Sequence, residues 1–501
     1  MDPNISNAIL KIFYNMITDK VGWAFSWFGL ISLLFLIWLA LSRYGKIRLG
    51  KPGEKPEYSR FEWIAMLFCT GQGSTLITWS ILEPIQYYAG PPFGLKIGTV
   101  EAVEYAATYG AFHWGIIPWA MMTLPAVPLA YYYLVRRRPQ LSMATPFEGR
   151  INGTTRSLID VLVLFACIAN SCTSLGMATP TIAALIASMF NIESTFALKA
   201  AVMVAFISIF GTSCILGLDK GIKKLSKINI YLVYGLLIFI LLIGPTTFIL
   251  NSFTNGMGIM FNEFFRMSLY TDPIGKSAWP QGWTIFYWAW WLCACPYTAI
   301  FIAKISRGRT IREVAIGGFL WGTLGDMVAF AILGGSTIRA LHFEGLGLVS
   351  IMQQHGNPAA VAAMIANLPL SVVIVPLFIA SMFVFSSTTY DSCTYVMANV
   401  TWDSRGIKDE APRWLRVVWV AVVGLSVIGM MAIGGLAPLQ SASIVTAIPL
   451  AIICIIICFL FMKDIKRDYL IVYGDKVEEE ILEYDVEDEF TSASVLNAAN
   501  K

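Results

Sequence analysis

The chain has 501 residues, of which 57% are hydrophobic and only 13% charged, and its net charge is +3. A soluble domain carries roughly 25% charged residues and a single soluble core stops growing near ~250–300 residues, so this much apolar surface requires the bilayer as solvent. The net charge says little about partners, and no basic run interleaved with aromatics points to nucleic acid.

In chain order, residues 1–20 are amphipathic and lack the charged start, apolar stretch and cleavage site of a signal peptide. A spanning helix needs about 20 apolar residues. Eleven stretches qualify: 22–42, 61–89, 108–135, 157–189, 197–217, 228–253, 283–303, 314–337, 368–400, 415–435 and 438–462. The alternate loops at 43–60, 136–156, 218–227, 304–313, 401–416 and 463–467 hold 26 of the 35 lysines and arginines, and the opposite side holds seven. Positive charge stays inside, so the first set is cytoplasmic and the N-terminus lies outside. An outside N-terminus without a signal implies a further helix ahead of residue 1, or a start placed elsewhere. The segment after Lys476 carries an acidic run from Glu478 to Glu489, read as a solvated cytoplasmic tail.

Setting aside residues 1–60 with their one peripheral span, ten spans remain. They form two groups of five, 61–253 and 283–462, joined by an extracellular segment at 254–282 and followed by the tail at 463–501. Five is odd, so the second group is inverted relative to the first, the architecture of transporters whose site lies where the opening helix of each half is interrupted. The first opening helix contains Gly71-Gln72-Gly73-Ser74-Thr75 and the second contains Cys295-Pro296, which predicts a break at each.

Two aromatic clusters lie near these breaks: Phe112-His113-Trp114 with Pro118-Trp119, and Phe286-Tyr287-Trp288-Ala289-Trp290-Trp291. Trp290, Ala294 and Tyr297 share one helical face. Such residues serve packing or the membrane interface, or they build a cage. A quaternary ammonium has no N–H to hydrogen-bond, and aromatic faces offer it apolar contact and quadrupole attraction together. Polar residues also sit deep in spans: Asn170, Ser171, Thr173 and Ser174 in one, Ser386, Ser387, Thr388 and Thr389 in another. They suit either a hard cation or interhelical hydrogen bonds. Asp326 and Asp391 are intramembrane carboxylates and functional candidates by position. The nine cysteines lie in apolar runs and read as small buried hydrophobes; the three histidines make no metal-ligand spacing. No nucleophile–base pair stands at the midplane, so an enzyme is not expected.

From about residue 20 to 467 the chain resembles the betaine/carnitine/choline transporter (BCCT) family. The likeness rests on Trp283-Thr284-Ile285-Phe286-Tyr287-Trp288-Ala289-Trp290-Trp291, on Ile305-Ser306-Arg307-Gly308-Arg309-Thr310-Ile311-Arg312-Glu313, on Phe112-His113-Trp114 with Trp119, and on Leu82-Glu83-Pro84. Tyr270-Thr271-Asp272-Pro273 and Pro280-Gln281-Gly282 look like its carnitine/γ-butyrobetaine branch. The resemblance implies an all-α, leucine-transporter-like five-plus-five fold, a homotrimer in the inner (plasma) membrane, and alternating-access transport of glycine betaine, carnitine, γ-butyrobetaine or choline. It places the substrate at Trp114, Trp119, Trp290 and Trp291, with Trp288 in the same motif and Tyr297 on the same face as Trp290. Trp283 and Tyr287 look like an outer vestibule. It implies Na+ as coupling ion, held by the Ser386 and Ser387 hydroxyls and by main-chain oxygens of Cys69, Gln72 and Phe383, with no organic cofactor. Met122 and Ala294 stand where the family has aromatics, so the cage is roomier. Asn229 and Thr298 stand where the sodium-independent carnitine exchangers have Arg and Met, which favours Na+ symport over exchange. Exchange and an amino-acid transporter of the same fold are the alternatives.

Overall fold

The computed structural model describes residues 3–71, 73–216, 221–402, 410–433 and 437–473. Gln72 and the acidic run at 478–489 lie outside them. The described secondary structure is helical, save one isolated antiparallel bridge between Arg48 and Thr310. In order the helices are α1 (Pro3–Leu41), α2 (Arg60–Gly71), α3 (Ser74–Ala89), α4 (Val100–His113), α5 (Ile116–Thr123), α6 (Ala126–Ala130), α7 (Gly153–Phe190), α8 (Phe196–Leu216) and α9 (Lys223–Ile243). They continue as α10 (Thr246–Leu269), α11 (Phe286–Ile305), α12 (Ile311–Ala329), α13 (Gly335–His342), α14 (Leu348–His355), α15 (Asn357–Ala366), α16 (Ser371–Val400), α17 (Arg413–Ile433) and α18 (Ala437–Tyr473).

Eight helical stretches among the described residues are long and apolar enough to cross a membrane. The other three of the eleven predicted spans are the interrupted α2–α3, the interrupted α4–α6, and α17. Every predicted span therefore has its helix. The contacts also exchange the two halves. α2 packs on α9 as α11 packs on α18; α5 meets α11 as α12 meets α2; α7 meets α17 as α16 meets α8; α9 meets α16 as α18 meets α7. Each pair becomes its mate when a helix of the first five is replaced by the helix at the same place in the second five. This is the leucine-transporter-like five-plus-five arrangement, written in packing rather than in sequence identity.

The predicted break at Gly71–Gly73 is present. α2 ends at Gly71, and Gly73 is extended at φ −174°, ψ −166° before α3 begins. Here the smallness of Gly73 matters more than its dihedral. A Cβ would stand 3.2 Å from Thr389 Oγ1 and 3.7 Å from Ser386 Cα, so α16 approaches the break closely.

The break predicted at Pro296 is absent, because α11 runs unbroken from Phe286 to Ile305. A proline removes one intrahelical hydrogen bond, and burial of every α11 residue except Lys304 holds the helix together. Its irregularity lies instead at the entrance, where Gln281–Ile285 form a π-turn. Residues 254–282 are likewise not an open connection. The helix predicted to run to residue 253 stops at Ile243, Gly244-Pro245 turns the chain, and α10 fills much of the segment. Residues 3–20, read as an amphipathic lead-in, extend the first span into a 39-residue helix.

At the other end of the bundle the motif at 305–313 is a fastening. Gly308 N donates to Leu49 O and Leu49 N to Arg309 O, each at 2.7 Å. The buried Arg309 donates to Tyr58 O at 3.0 Å and lies 4.3 Å over the Trp63 ring, while Thr310 and Glu313 close a capping box on α12. The motif thereby pins the 43–60 loop against the second half.

Candidate functional site

A narrow cavity of about 10 Å³ lies between the halves, lined by Thr75 just past the first break, Trp114, Asn170 and Ser174 of α7, Trp290, Trp291, Ala294 and Tyr297 of α11, and Thr389 and Tyr390 of α16. The face predicted from Trp290, Ala294 and Tyr297 is one of its walls. Small-molecule pockets run from roughly 300 to 1,000 Å³, so in this conformation the walls are closed on one another and a solute enters only when they part. No charged side chain is among the lining residues.

Three indoles shape it. Trp114 meets Trp291 edge-on at 4.9 Å and 88°, and Trp290 at 5.9 Å and 81°; Trp290 and Trp291 stack at 5.3 Å and 28°. Trp114 is presented by a second interruption, which the sequence reading placed inside a continuous span. α4 ends at His113, Trp114 takes φ −107°, ψ 8°, and Gly115 takes φ −90°, ψ −142° before α5 restarts. Gly115 and Pro118 were the available signals.

Each indole is oriented differently. Trp291 Nε1 donates to His113 O at 3.0 Å, whereas Trp290 Nε1 is buried without a hydrogen-bond partner among the described residues. Trp114 Nε1 donates to Glu83 Oε1 at 2.5 Å. Tyr287 donates to the same oxygen at 2.5 Å, and Tyr87 donates to Oε2 at 2.7 Å. Glu83 is wholly buried, so one carboxylate of the first half holds Trp114 from its own half and Tyr287 from the other. The sequence reading quoted Glu83 only within a motif, although an ionisable residue in an apolar span is itself a functional signal.

The other predicted residues are placed as follows. Trp119 is fully buried outside the cavity lining. It donates to Asp326 Oδ2 at 2.8 Å and lies so near Gly322 that a Cβ there would meet its ring at 2.0 Å. Trp288 is also outside the lining, packed against Phe112 at 5.8 Å and His113 at 5.9 Å. Trp283 and Tyr287 stack at 6.4 Å and 21° above the cage, joined by Trp79 and Tyr87, and only Trp283 of the pair is partly exposed. Asp391 accepts from Ser213 at 2.5 Å and ties α16 to α8.

Beside the first break, Ser386 Oγ lies 2.5 Å from Ser74 Oγ and accepts from Ser74 N at 3.3 Å. The carbonyl of Cys69, in the last turn of α2, accepts from Thr389 Oγ1 at 2.9 Å. Ser387 Oγ is buried with no hydrogen-bond partner among the described residues. Phe383 turns its ring to Phe206, 4.7 Å away on α8. Asn229 reaches the same place, donating to Cys69 Sγ at 3.2 Å and Thr388 Oγ1 at 3.4 Å. These are oxygen donors, the chemistry of a hard cation. None of the nine cysteines forms a disulfide, and among the described residues no cluster of three or more His, Cys, Asp or Glu side chains is built to hold a metal ion.

Comparison with solved structures finds a manganese transporter from Eremococcus coleocola, at 13% identity and TM-score 0.47, covering 90% of this chain and 96% of that one. It also finds a Na+-coupled sialic acid symporter, at 12% identity and TM-score 0.44, covering 88% of this chain and 86% of that one. The model of the BCCT, betaine/carnitine/choline family transporter, matches residues 1–470. The chain is a transporter, not an enzyme, and it belongs to the betaine/carnitine/choline family.

Proposed function

We propose that the protein is a Na+-coupled symporter of a small trimethylammonium compound, bound among Trp114, Trp290 and Trp291 and completed by Tyr297. The observation that carries this reading is the cavity wall itself: three indoles in mutually perpendicular and stacked pairs, with no charged side chain, at the junction of the two halves. Aromatic faces attract a diffuse cation by about 0.5–2 kcal/mol each without the desolvation cost of a carboxylate in the bilayer. Thr75, Asn170 and Ser174 present polar groups to the substrate's polar end, whereas the Thr389 hydroxyl already donates to Cys69 O. Trp119 and Trp288 stand behind the cage, Trp119 bracing α12 through Asp326.

Na+ has its donors beside the cage, at the Ser386 and Ser387 hydroxyls and the end carbonyl of α2, with Phe383 contributing a main-chain oxygen; Gln72, expected in the same set, lies outside the described residues. The buried Ser387 hydroxyl, which has no hydrogen-bond partner among the described residues, supports this assignment. Because Thr389 belongs to the cavity lining and also bonds Cys69 O, ion and substrate share a wall. The assembly is a homotrimer in the plasma membrane with the C-terminus cytoplasmic. Isothermal titration of the purified protein with glycine betaine, carnitine, γ-butyrobetaine and choline, each against its unmethylated amine and each in Na+ and in K+, tests the assignment. Tight binding only of methylated ligands, strengthened by Na+, is expected; equal binding of the amines rules out the cage.

A further inference from the structure

A fully buried polar cluster lies behind the cage rather than in it. From the entrance inward, Thr284 Oγ1 of the π-turn stands 2.9 Å from His113 Nε2, His113 Nδ1 stands 2.8 Å from Tyr87 Oη, and Tyr87 donates to Glu83 Oε2 at 2.7 Å. All four side chains are fully buried. Trp114 and Tyr287 both donate to Oε1, the other oxygen of the same carboxylate.

With His113 neutral, every bond of this chain is made in two arrangements. With Glu83 ionised, Thr284 donates to Nε2, the Nδ1–H donates to Tyr87, and Tyr87 donates to Oε2. With Glu83 carrying a proton on Oε2, every bond reverses: Glu83 donates to Tyr87, Tyr87 to Nδ1, and the Nε2–H to Thr284. The second arrangement holds one proton more. It arises when a proton arrives at Nε2, the Nδ1 proton passes to Tyr87, and the Tyr87 hydroxyl proton passes to Glu83. No atom moves beyond hydrogen-bond distance, and both arrangements leave the bonds from Trp114 and Tyr287 to Oε1 intact.

We propose that Glu83 is a proton-binding group that positions and polarises the cage, loaded through the relay Thr284–His113–Tyr87 from the outer vestibule. Its influence on the substrate rests on the cage reading above. An ionised carboxylate accepting the Trp114 N–H pushes electron density into that indole and adds a negative potential behind the cavity; the protonated form withdraws both. The groups facing Glu83 are Tyr87 on its own helix, His113 on α4, Trp114 just past it and Tyr287 on α11, with Tyr109 behind Tyr87 and the Phe330 ring beside the carboxylate at Gly110. Arg339 and His342 of α13 turn instead to Glu344 and Tyr88.

The test has two readings on the purified full chain. Infrared titration without ligand over about pH 5 to 9 should show a protonated-carboxyl C=O band, sensitive to D2O, that Glu83→Gln removes; an unchanged spectrum in that variant overturns the proton site. Trimethylammonium affinity should fall about 5- to 10-fold as that band appears, from a unit charge one residue behind the cavity in a medium of intermediate dielectric. Glu83→Gln should bind at the weaker level with no pH dependence, and Tyr87→Phe should keep the band but fill it more slowly after a pH jump. A wild-type affinity flat across the range, with the band present, overturns the link to the cage. If no trimethylammonium compound binds at any pH while the band titrates, the cage reading falls and the proton relay stands.

Discussion

Trp291→Leu separates a cation cage from ordinary aromatic packing. Trp291 lines the cavity, meets Trp114 edge-on at 4.9 Å, stacks on Trp290 at 5.3 Å, and donates to His113 O at 3.0 Å. Leucine keeps most of the apolar wall and removes the quadrupole. For a trimethylammonium ligand the loss of one face is worth ~1–2 kcal/mol, or about 5- to 30-fold in Kd. The fold also loses two ring pairs at ~0.5–1.5 kcal/mol each and a hydrogen bond at ~1 kcal/mol, so thermal stability falls whether or not the residue binds substrate. The informative assay therefore pairs each ligand with its neutral carbon isostere, a tert-butyl group replacing the trimethylammonium. By titration calorimetry the wild type should prefer the cation, and Trp291→Leu should erase most of that preference while changing isostere affinity about twofold or less. If cation and isostere weaken by the same factor, the indole supplies shape only and the electrostatic argument is refuted.

The ion site gives a second prediction. Ser386→Ala combined with Ser387→Ala removes two hydroxyls beside the first break, so the Na+ dependence of substrate binding should vanish while residual affinity in K+ is unchanged; a persisting Na+ effect places the ion elsewhere. Gly322→Ala should drive a methyl into Trp119, whose ring lies 2.0 Å from that Cβ position, and lower stability by ~1–3 kcal/mol, read as a drop in thermal midpoint. Asp464 at the end of α18 is 1% exposed and accepts from Tyr132, Arg136 and Arg150. Asp464→Asn should therefore cost ~1–3 kcal/mol, because Arg136 keeps Asp468 while Arg150 loses its carboxylate, and folded yield should recover when Arg150 is also neutralised.

What the sequence disclosed follows from what leaves a local trace. The eleven spans were legible because each is a long apolar run, and the five-plus-five division followed from their number. The face of Trp290, Ala294 and Tyr297 was legible from helical spacing alone. Pro296 misled because proline marks a missing hydrogen bond, and a helix buried on all sides tolerates that. Gly115 marked the opposite case: a real interruption inside a run apolar enough to pass for one helix. Trp119 and Trp288 shared a motif with the cage residues, yet which way an indole turns depends on partners far along the chain, Asp326 and Phe112 among them. Glu83 escaped notice for the same reason, since its meaning lies in Trp114, Tyr287 and Tyr87 converging on one carboxylate.

The central claim is that these tryptophans carry a trimethylammonium cation across the membrane on the energy of a Na+ gradient. Uptake of radiolabelled glycine betaine, carnitine, γ-butyrobetaine and choline into proteoliposomes tests it, with and without an inward Na+ gradient and with the unmethylated amines as controls. The account predicts concentrative uptake of at least one trimethylammonium compound that requires Na+ outside and fails for its amine. Uptake indifferent to Na+ and stimulated by substrate inside would make the protein an exchanger and contradict the coupling; uptake of the amine alone would contradict the cage.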